Sequence, residues 1–317
     1  MKRTTCFVLV ALLIGAGLGA SAQTASTVLD IEPGVAALGA GATGLSMVRG
    51  AETLFFNPAG LAALPGISFS SSLSTHLGVA NYSQFALAFT NFAVGALILN
   101  SGDIQGYDAS GGETETLSYG STSFQFAGGI RPSDLPFVPD MGLDFAVGAR
   151  LKTVSADIAG DRGSGFALDF GFLAAFADTT LGPIRFSDIA IGLTVDNLIG
   201  SLSYDDDQED FTAGISFGAS ALIMDMVRAG LDVRLAGTLN FGLAYAPVPT
   251  LELRLGVIAG QALSITGGLG VSVQGFVVDY AFRSHPVGAS HRVSLSLDFS
   301  SLNLGGGIGQ ILGRLLP

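Results

Sequence analysis

Few side chains in this sequence are equipped for covalent or metal chemistry: three His and a single Cys among 317 residues. Gly214-Ile215-Ser216-Phe217-Gly218 has the G-x-S-x-G spacing of a nucleophile elbow, and Asp279 and His291 follow in hydrolase-triad order. An elbow needs its Ser on a sharp strand-to-helix turn, whereas Ser216 lies inside an alternating, strand-like segment. Gly39-Ala40-Gly41-Ala42-Thr43-Gly44 matches the phosphate-cradling G-x-G-x-x-G, yet no acidic residue for a ribose lies between Glu52 and Asp103 and no βαβ unit follows. His285 and His291 could share a metal, but a Pro-Val-Gly turn between strand ends accounts for their spacing. Asp205, Asp206, Asp207, Glu209 and Asp210 could hold calcium loosely. They lack EF-hand spacing and read as a solvated loop. No catalytic residue, cofactor or metal site is assigned, and the expectation is a protein that is not an enzyme.

Charge is more informative. With 14 Lys plus Arg against 26 Asp plus Glu, the net charge is -12, so the basic footprint of a nucleic-acid binder is missing. Mean hydropathy is +0.55. Residues 1–22 have the pattern of a cleavable export signal: Lys2 and Arg3, an apolar run from Cys6 to Leu18, then Ala20-Ser21-Ala22. Removing that leader takes away the sole Cys and, with Lys2 and Arg3, moves the charge from -12 to -14.

The remaining apolar residues alternate. Phe166, Leu168, Phe170 and Phe172 oppose Ala167, Asp169 and Gly171, and Leu251, Leu253, Leu255 and Val257 oppose Glu252, Arg254 and Gly256. Period two is the signature of a strand. Fourteen strands are expected, near 67–75, 82–90, 92–101, 119–130, 142–155, 164–177, 184–198, 209–221, 227–237, 238–246, 250–259, 262–272, 275–284 and 291–299. Most reach the roughly 9 to 11 residues of a tilted membrane strand. The second face is Gly, Ala and Ser with scattered charge, unlike a water-facing surface, which would be crowded with Lys, Glu and Thr. The bulky face is therefore assigned to lipid, giving an all-β transmembrane antiparallel β-barrel. Its lumen would carry Asp144, Arg150, Lys152, Asp169, Asp196, Asp232, Arg234, Glu252, Arg254, Asp279, Arg283 and Asp298. Their mixed signs suit salt bridges that hold the interior shut, and Asp232 and Arg234 are expected to meet Arg254 and Glu252 across the ladder.

Residues 23–66 have no clean alternation and are long enough to fold inside the barrel as a hatch or plug. The barrel is expected over 67–299 and a tail over 300–317. Gly34 to Gly44, followed by Glu52-Thr53-Leu54-Phe55-Phe56-Asn57-Pro58-Ala59-Gly60-Leu61, resembles the N-terminal signature of FadL-like outer membrane proteins and, more closely, of their PorV/PorQ-type relatives. Asp279-Tyr280-Ala281-Phe282, Gly288, His291 to Leu295 and Phe299 resemble the last two strands of the latter group. The resemblance implies a fourteen-stranded outer membrane barrel with a lumenal hatch and both termini in the periplasm. It carries Asn57, Pro58 and Ala59 over as the hatch motif, with a turn-fixing role first and gating second. It implies passage of hydrophobic small molecules across the bacterial outer membrane or, for PorV-like members, assistance to type IX protein secretion. Partners would be outer membrane lipids together with hydrophobic small molecules or secreted proteins and their machinery, and no nucleic acid. The chain departs from the usual terminal aromatic by continuing past Phe299 to Pro317.

Overall fold

Alternation with period two forces every second side chain to one face, and a sheet with one apolar face escapes exposed edges by closing on itself. The computed structural model describes residues 27–76, 80–138, 143–204, 207–286 and 288–300. The expected leader, Asp205, Asp206 and the tail from 301 lie outside the described residues. Fourteen strands form the wall: β1 (Ser68–His76), β2 (Ala80–Phe89), β3 (Phe92–Tyr107), β4 (Glu113–Ile130), β5 (Asp144–Ile158), β6 (Asp161–Phe176), β7 (Ile184–Ser203), β8 (Gly214–Ile223), β9 (Val227–Arg234), β10 (Thr238–Val248), β11 (Leu251–Ala259), β12 (Leu263–Val273), β13 (Phe276–His285) and β14 (Gly288–Asp298). Each pairs antiparallel with its sequence neighbours, and β1 closes the ring on β14 with Ser70 opposite Ser296.

The end of the barrel that holds the start of β1 and the finish of β14 is termed the near end. Two of its turns place consecutive residues at positive φ, Met224-Asp225 and Gln274-Gly275, the geometry that matches the strand twist of a tight hairpin. Ala159-Gly160 does the same at the far end. Phe124 and Phe126 are 55% and 52% exposed in mid-strand, while Ser123 and Gln125, which alternate with them, are buried. The large apolar side chains thus point away from the barrel axis and the small polar ones toward it.

Several boundaries depart from the sequence expectation, among them the end of β7, which runs on to Ser203. β3 and β4 run on to Tyr107 and from Glu113, well past the band where Phe and Leu alternate, because Ile104 pairs with Leu117 after a bulge beyond Asn100. The segment expected near 209–221 begins at Gly214. Gln208–Asp210 instead folds back on Ser201–Ser203 of β7 as a short extension. Polar, charge-rich hairpins carry no alternation to read, so their length is set by pairing alone.

The segment before β1 lies inside the ring. A turn at Val28–Asp30 is held by a capping box on Thr27, in which Thr27 and Asp30 exchange side-chain-to-backbone hydrogen bonds. Two short helices follow, α1 (Val35–Gly39) and α2 (Thr53–Phe56), then a 3-10 stretch over Pro58–Ala63. Val28, Leu54, Phe55 and Leu61 pack with inward wall residues Tyr82, Ala86, Leu97 and Leu99.

Candidate functional site

The hatch motif is a cap and a clamp at once. Asn57 is extended, and its Oδ1 accepts the Ala59 N–H at 3.1 Å, starting the 3-10 stretch with Pro58 in the first position, where a missing N–H costs nothing. Its Nδ2 donates to the carbonyls of Leu45 in the hatch and Phe172 in β6, both at 3.0 Å. One amide therefore ties two hatch segments to the wall.

Glycines make this close approach possible. A Cβ on Gly129, Gly148 or Gly171 would meet Pro58, Ala59 or Asn57; one on Gly192 or Gly218 would meet Leu45, and one on Gly242 or Gly256 would meet Ala40 or Gly41. These wall positions are neighbours in register: Gly129 faces Gly148, Gly148 faces Gly171, Gly192 faces Gly218 and Gly242 faces Gly256. They form a belt around the lumen on which the hatch lies directly against wall main chain, through its own main chain at Gly129, Gly148, Gly192, Gly242 and Gly256 and through side chains of Asn57, Pro58 and Leu45 at Gly171 and Gly218.

The charged lumenal side chains fall into separate groups. Arg150 lies 2.6 Å from Asp169 and 3.1 Å from Asp196, Lys152 lies 2.8 Å from Asp169, and Arg150 Nη1 donates to the Leu54 carbonyl of the hatch. A bulge between β6 and β7 exposes the Asn197 N–H to Asp169 and its side-chain oxygen to Lys152. On the opposite wall Arg254 pairs with Glu252 at 2.5 Å and Asp279 at 2.6 Å. Arg283 reaches Glu32 of the hatch at 2.7 Å. Asp144 pairs at 3.5 Å with Arg131 on the exposed near rim, and Asp298 ends β14 by accepting from Ser300. The expected ladder between Asp232–Arg234 and Glu252–Arg254 does not form, because across β10 Asp232 is level with Asn240 and Ile258, whereas Arg254 is level with Ala244 and Arg228. Asp232 instead accepts the N–H groups of Gly44 and Leu45 at 2.7 and 3.1 Å, and Arg234 stands half-buried in a cavity wall.

Sequence reasoning passed over Arg292, Glu32 and Glu52. Arg292 shares the inward face of Ser294 and Ser296, so period two alone would have found it; it donates to the Glu32 carbonyl and its guanidinium lies 5.0 Å from the Tyr82 ring centre. The two hatch carboxyls had no periodicity to mark them. Burial pushes Glu32 up, but Arg283, Arg234 and Arg292 outweigh it and hold the carboxyl below its ordinary value. Glu52 is buried without such cover. Desolvation and the charge of Asp279 raise it to about 7 against the Ser70 hydroxyl, the Val35 N–H and Arg254.

Cavities flank the hatch toward both ends of the barrel, among them one far and one near. The far one, about 380 Å³, is lined by apolar Leu29, Ile31, Phe55, Phe56 and Phe211, with Arg150, Lys152 and Asp196 at one side. The near one, about 390 Å³, includes Glu52, Met47, Glu252, Arg254 and Asp279. At the far end the hairpin β3–β4 runs on past the end of β5, whose last residue, Ile158, pairs with Tyr119 of β4 and Asp161 of β6. Tyr119 on this extension packs against the hatch cluster beside Leu29, which identifies its inner face; Leu117 and Ile158 share that face, and Ile104 pairs with Leu117. Asp103 and Ser118, paired with each other, take the outer face.

Two solved structures share this architecture. A TodX deltaS2S3 mutant, described as a monoaromatic hydrocarbon channel, superposes with a TM-score of 0.51 at 12% identity over 83% of this chain and 97% of that one. A FadL homologue from Pseudomonas aeruginosa gives 0.52 at 10% identity over 88% of this chain and 100% of that one. No family model and no curated protein matches the sequence. At these identities the likeness is one of fold: a closed, antiparallel fourteen-stranded barrel of the FadL type.

Proposed function

We propose that this chain is a bacterial outer membrane conduit that takes up hydrophobic small molecules at its far end and passes them inward without covalent chemistry. The far cavity carries this reading. It sets the apolar side chains of Leu29, Ile31, Phe55, Phe56 and Phe211 against a charged side that includes Arg150, Lys152, Asp196 and Arg234, apolar surface joined to fixed polar groups as in a small-molecule site. Ile104 with Leu117 adds apolar inner surface at the same end of the barrel. The FadL-type fold and the hydrocarbon channel TodX support the same class of cargo. Asn57, Pro58 and Ala59 seat the hatch in this reading, and the lumenal charge groups hold its rim closed. A PorV/PorQ-type role in type IX secretion rests on the terminal sequence motifs, and no cavity or surface feature described above favours it.

The test is binding of the fluorescent hydrophobe N-phenyl-1-naphthylamine to purified protein in detergent, with Phe211→Asp as the variant that spoils the cavity's apolar lining. Saturable binding lost in the variant is expected, together with slower uptake of a radiolabelled hydrophobic compound in a deletion strain. Unchanged uptake with loss of surface proteins would overturn the conduit in favour of docking.

A further inference from the structure

The far and near cavities are separated by three hatch segments, and on each of them nearby residues line opposite sides. Pro33 lines the far cavity and Ala36 the near one; Leu45 is far and Thr43 near; Phe55 and Phe56 are far and Glu52 near. Two of the crossings, Gly34 and Gly44, carry no side chain. A Cβ placed on Gly34 would lie 2.9 Å from the Phe56 ring and 2.9 Å from Glu52 Oε2, and one placed on Gly44 would strike the same ring. At this point the septum consists of one aromatic ring lying between two bare backbones.

We propose that Phe56 is the valve of a passage through the hatch that joins the two cavities and admits small, uncharged, flat apolar molecules, with Glu52 as the next group they meet. This inference rests on the conduit reading above. The ring already borders the far cavity, so turning it outward needs side-chain rotation and no displacement of main chain. The helix bearing it stays in place, because Arg150 holds the Leu54 carbonyl at 2.9 Å. The slot left between Gly34 and Gly44 has the thickness of the ring that filled it, which sets the shape of what passes. Along the glycine belt the hatch meets the wall main chain on main chain at Gly148, Gly242 and Gly256, where a gap would need the backbone to move. Glu52 sets the charge rule. Its Oε1 accepts from the Ser70 hydroxyl at 3.1 Å, and the nearby cation Arg254 is committed to Glu252 and Asp279. Above about pH 7, where Glu52 is ionised, an anion leaving the slot would face its carboxylate, whereas a neutral molecule would not be repelled.

Hydrophobic constrictions close pores by excluding water, so removing the ring should wet the slot. Wild type, Phe56→Ala, Phe56→Trp and Leu61→Ala are compared in planar lipid bilayers bathed in KCl, with barrel folding checked by heat-modifiable gel migration. Leu61 is fully buried elsewhere in the hatch and controls for general loosening. The expected result is a conductance rise of about tenfold in Phe56→Ala, from a slot that a dewetted ring no longer blocks, with none in Phe56→Trp or Leu61→Ala. Adding Glu52→Gln to Phe56→Ala should shift the reversal potential in a KCl gradient away from cation preference. Equal currents in Phe56→Ala and wild type, or in Phe56→Ala and Leu61→Ala, would overturn the valve. If Phe56→Ala does not fold, Phe56→Leu must show a smaller rise, and a current no greater than wild type refutes the proposal. N-phenyl-1-naphthylamine binding by wild type without extra current in Phe56→Ala sinks the valve and leaves the conduit; extra current without probe binding or uptake does the reverse.

Discussion

Replacing Gly148 by alanine tests whether main-chain contact on the glycine belt seats the hatch. A Cβ there would lie 2.5 Å from Ala59 N and from the Pro58 carbonyl carbon, and 2.7 Å from the Pro58 oxygen. None of these atoms can turn away as a side chain could, so the hatch must shift. Overfilling a packed site by a methyl group costs about 1–3 kcal/mol. The opposing anchor is the three hydrogen bonds of the Asn57 amide, each contributing roughly 1 kcal/mol. The two are comparable, so Gly148→Ala should loosen the seat without expelling it. At about 2 kcal/mol, opening becomes about 30-fold more frequent, since about 1.4 kcal/mol is a factor of ten. Hydrogen exchange followed by mass spectrometry reads this directly: the amides of Asn57, Gly60 and Leu64, bonded to Thr53, Asn57 and Leu61 carbonyls, should exchange about 30-fold faster, as local opening predicts. Wall amides should not change. Gly120→Ala is the control, because a Cβ there has only the Leu99 oxygen, at 4.0 Å. Exchange in Gly148→Ala equal to that in Gly120→Ala, or acceleration shared by the whole wall, would refute the reasoning.

Asp169→Asn leaves the buried Arg150 and Lys152 facing one carboxylate, Asp196, and should cost about 3–5 kcal/mol, as breaking a buried ion pair does, read as a lower denaturant midpoint in lipid. Glu52 makes the hatch sensitive to alkali. Its folded value of about 7 lies above the ordinary 4.5, so its share of hatch stability is whole below pH 4.5 and is lost as pH rises toward 7. The loss approaches about 3 kcal/mol, at about 1.36 kcal/mol for every pH unit separating the folded and ordinary values. Exchange of hatch amides corrected for intrinsic rate should therefore accelerate between pH 5 and 8 in wild type and stay flat in Glu52→Gln, where Ser70, Asp279 and Arg254 remain as neighbours. Phe170→Arg puts a charge on the outward face, where Phe170 is 43% exposed, and should lower the refolding yield into vesicles by about 2–4 kcal/mol of stability, with Asp169 pairing intact.

The wall was readable from the chain alone because each strand signals its faces locally. Phe166, Phe170, Leu253 and Leu255 point outward for the same reason at every position: neighbouring side chains on a pleated strand must leave on opposite sides. Period two thus specified inside from outside for Arg150, Asp169 and Arg254 before any strand had a partner. It did not specify which inward charge meets which. The pairing of Arg254 with Asp279, not Asp232, depends on register around the ring: the bare Gly270 of β12 lies level with Glu252 and Asp279 and lets Arg254 reach across, whereas Asp232 is level with Ile258. The hatch was marked in sequence by the absence of alternation and by Asn57-Pro58-Ala59, yet its seat was hidden. Gly129, Gly148, Gly171, Gly192 and Gly218 lie far apart in the chain, and only closure of the barrel lines them up into one belt. Likewise nothing local distinguishes Phe56 from the other phenylalanines. Its position between Gly34 and Gly44 arises when three segments of a plug with no periodic order are pressed together by the surrounding wall.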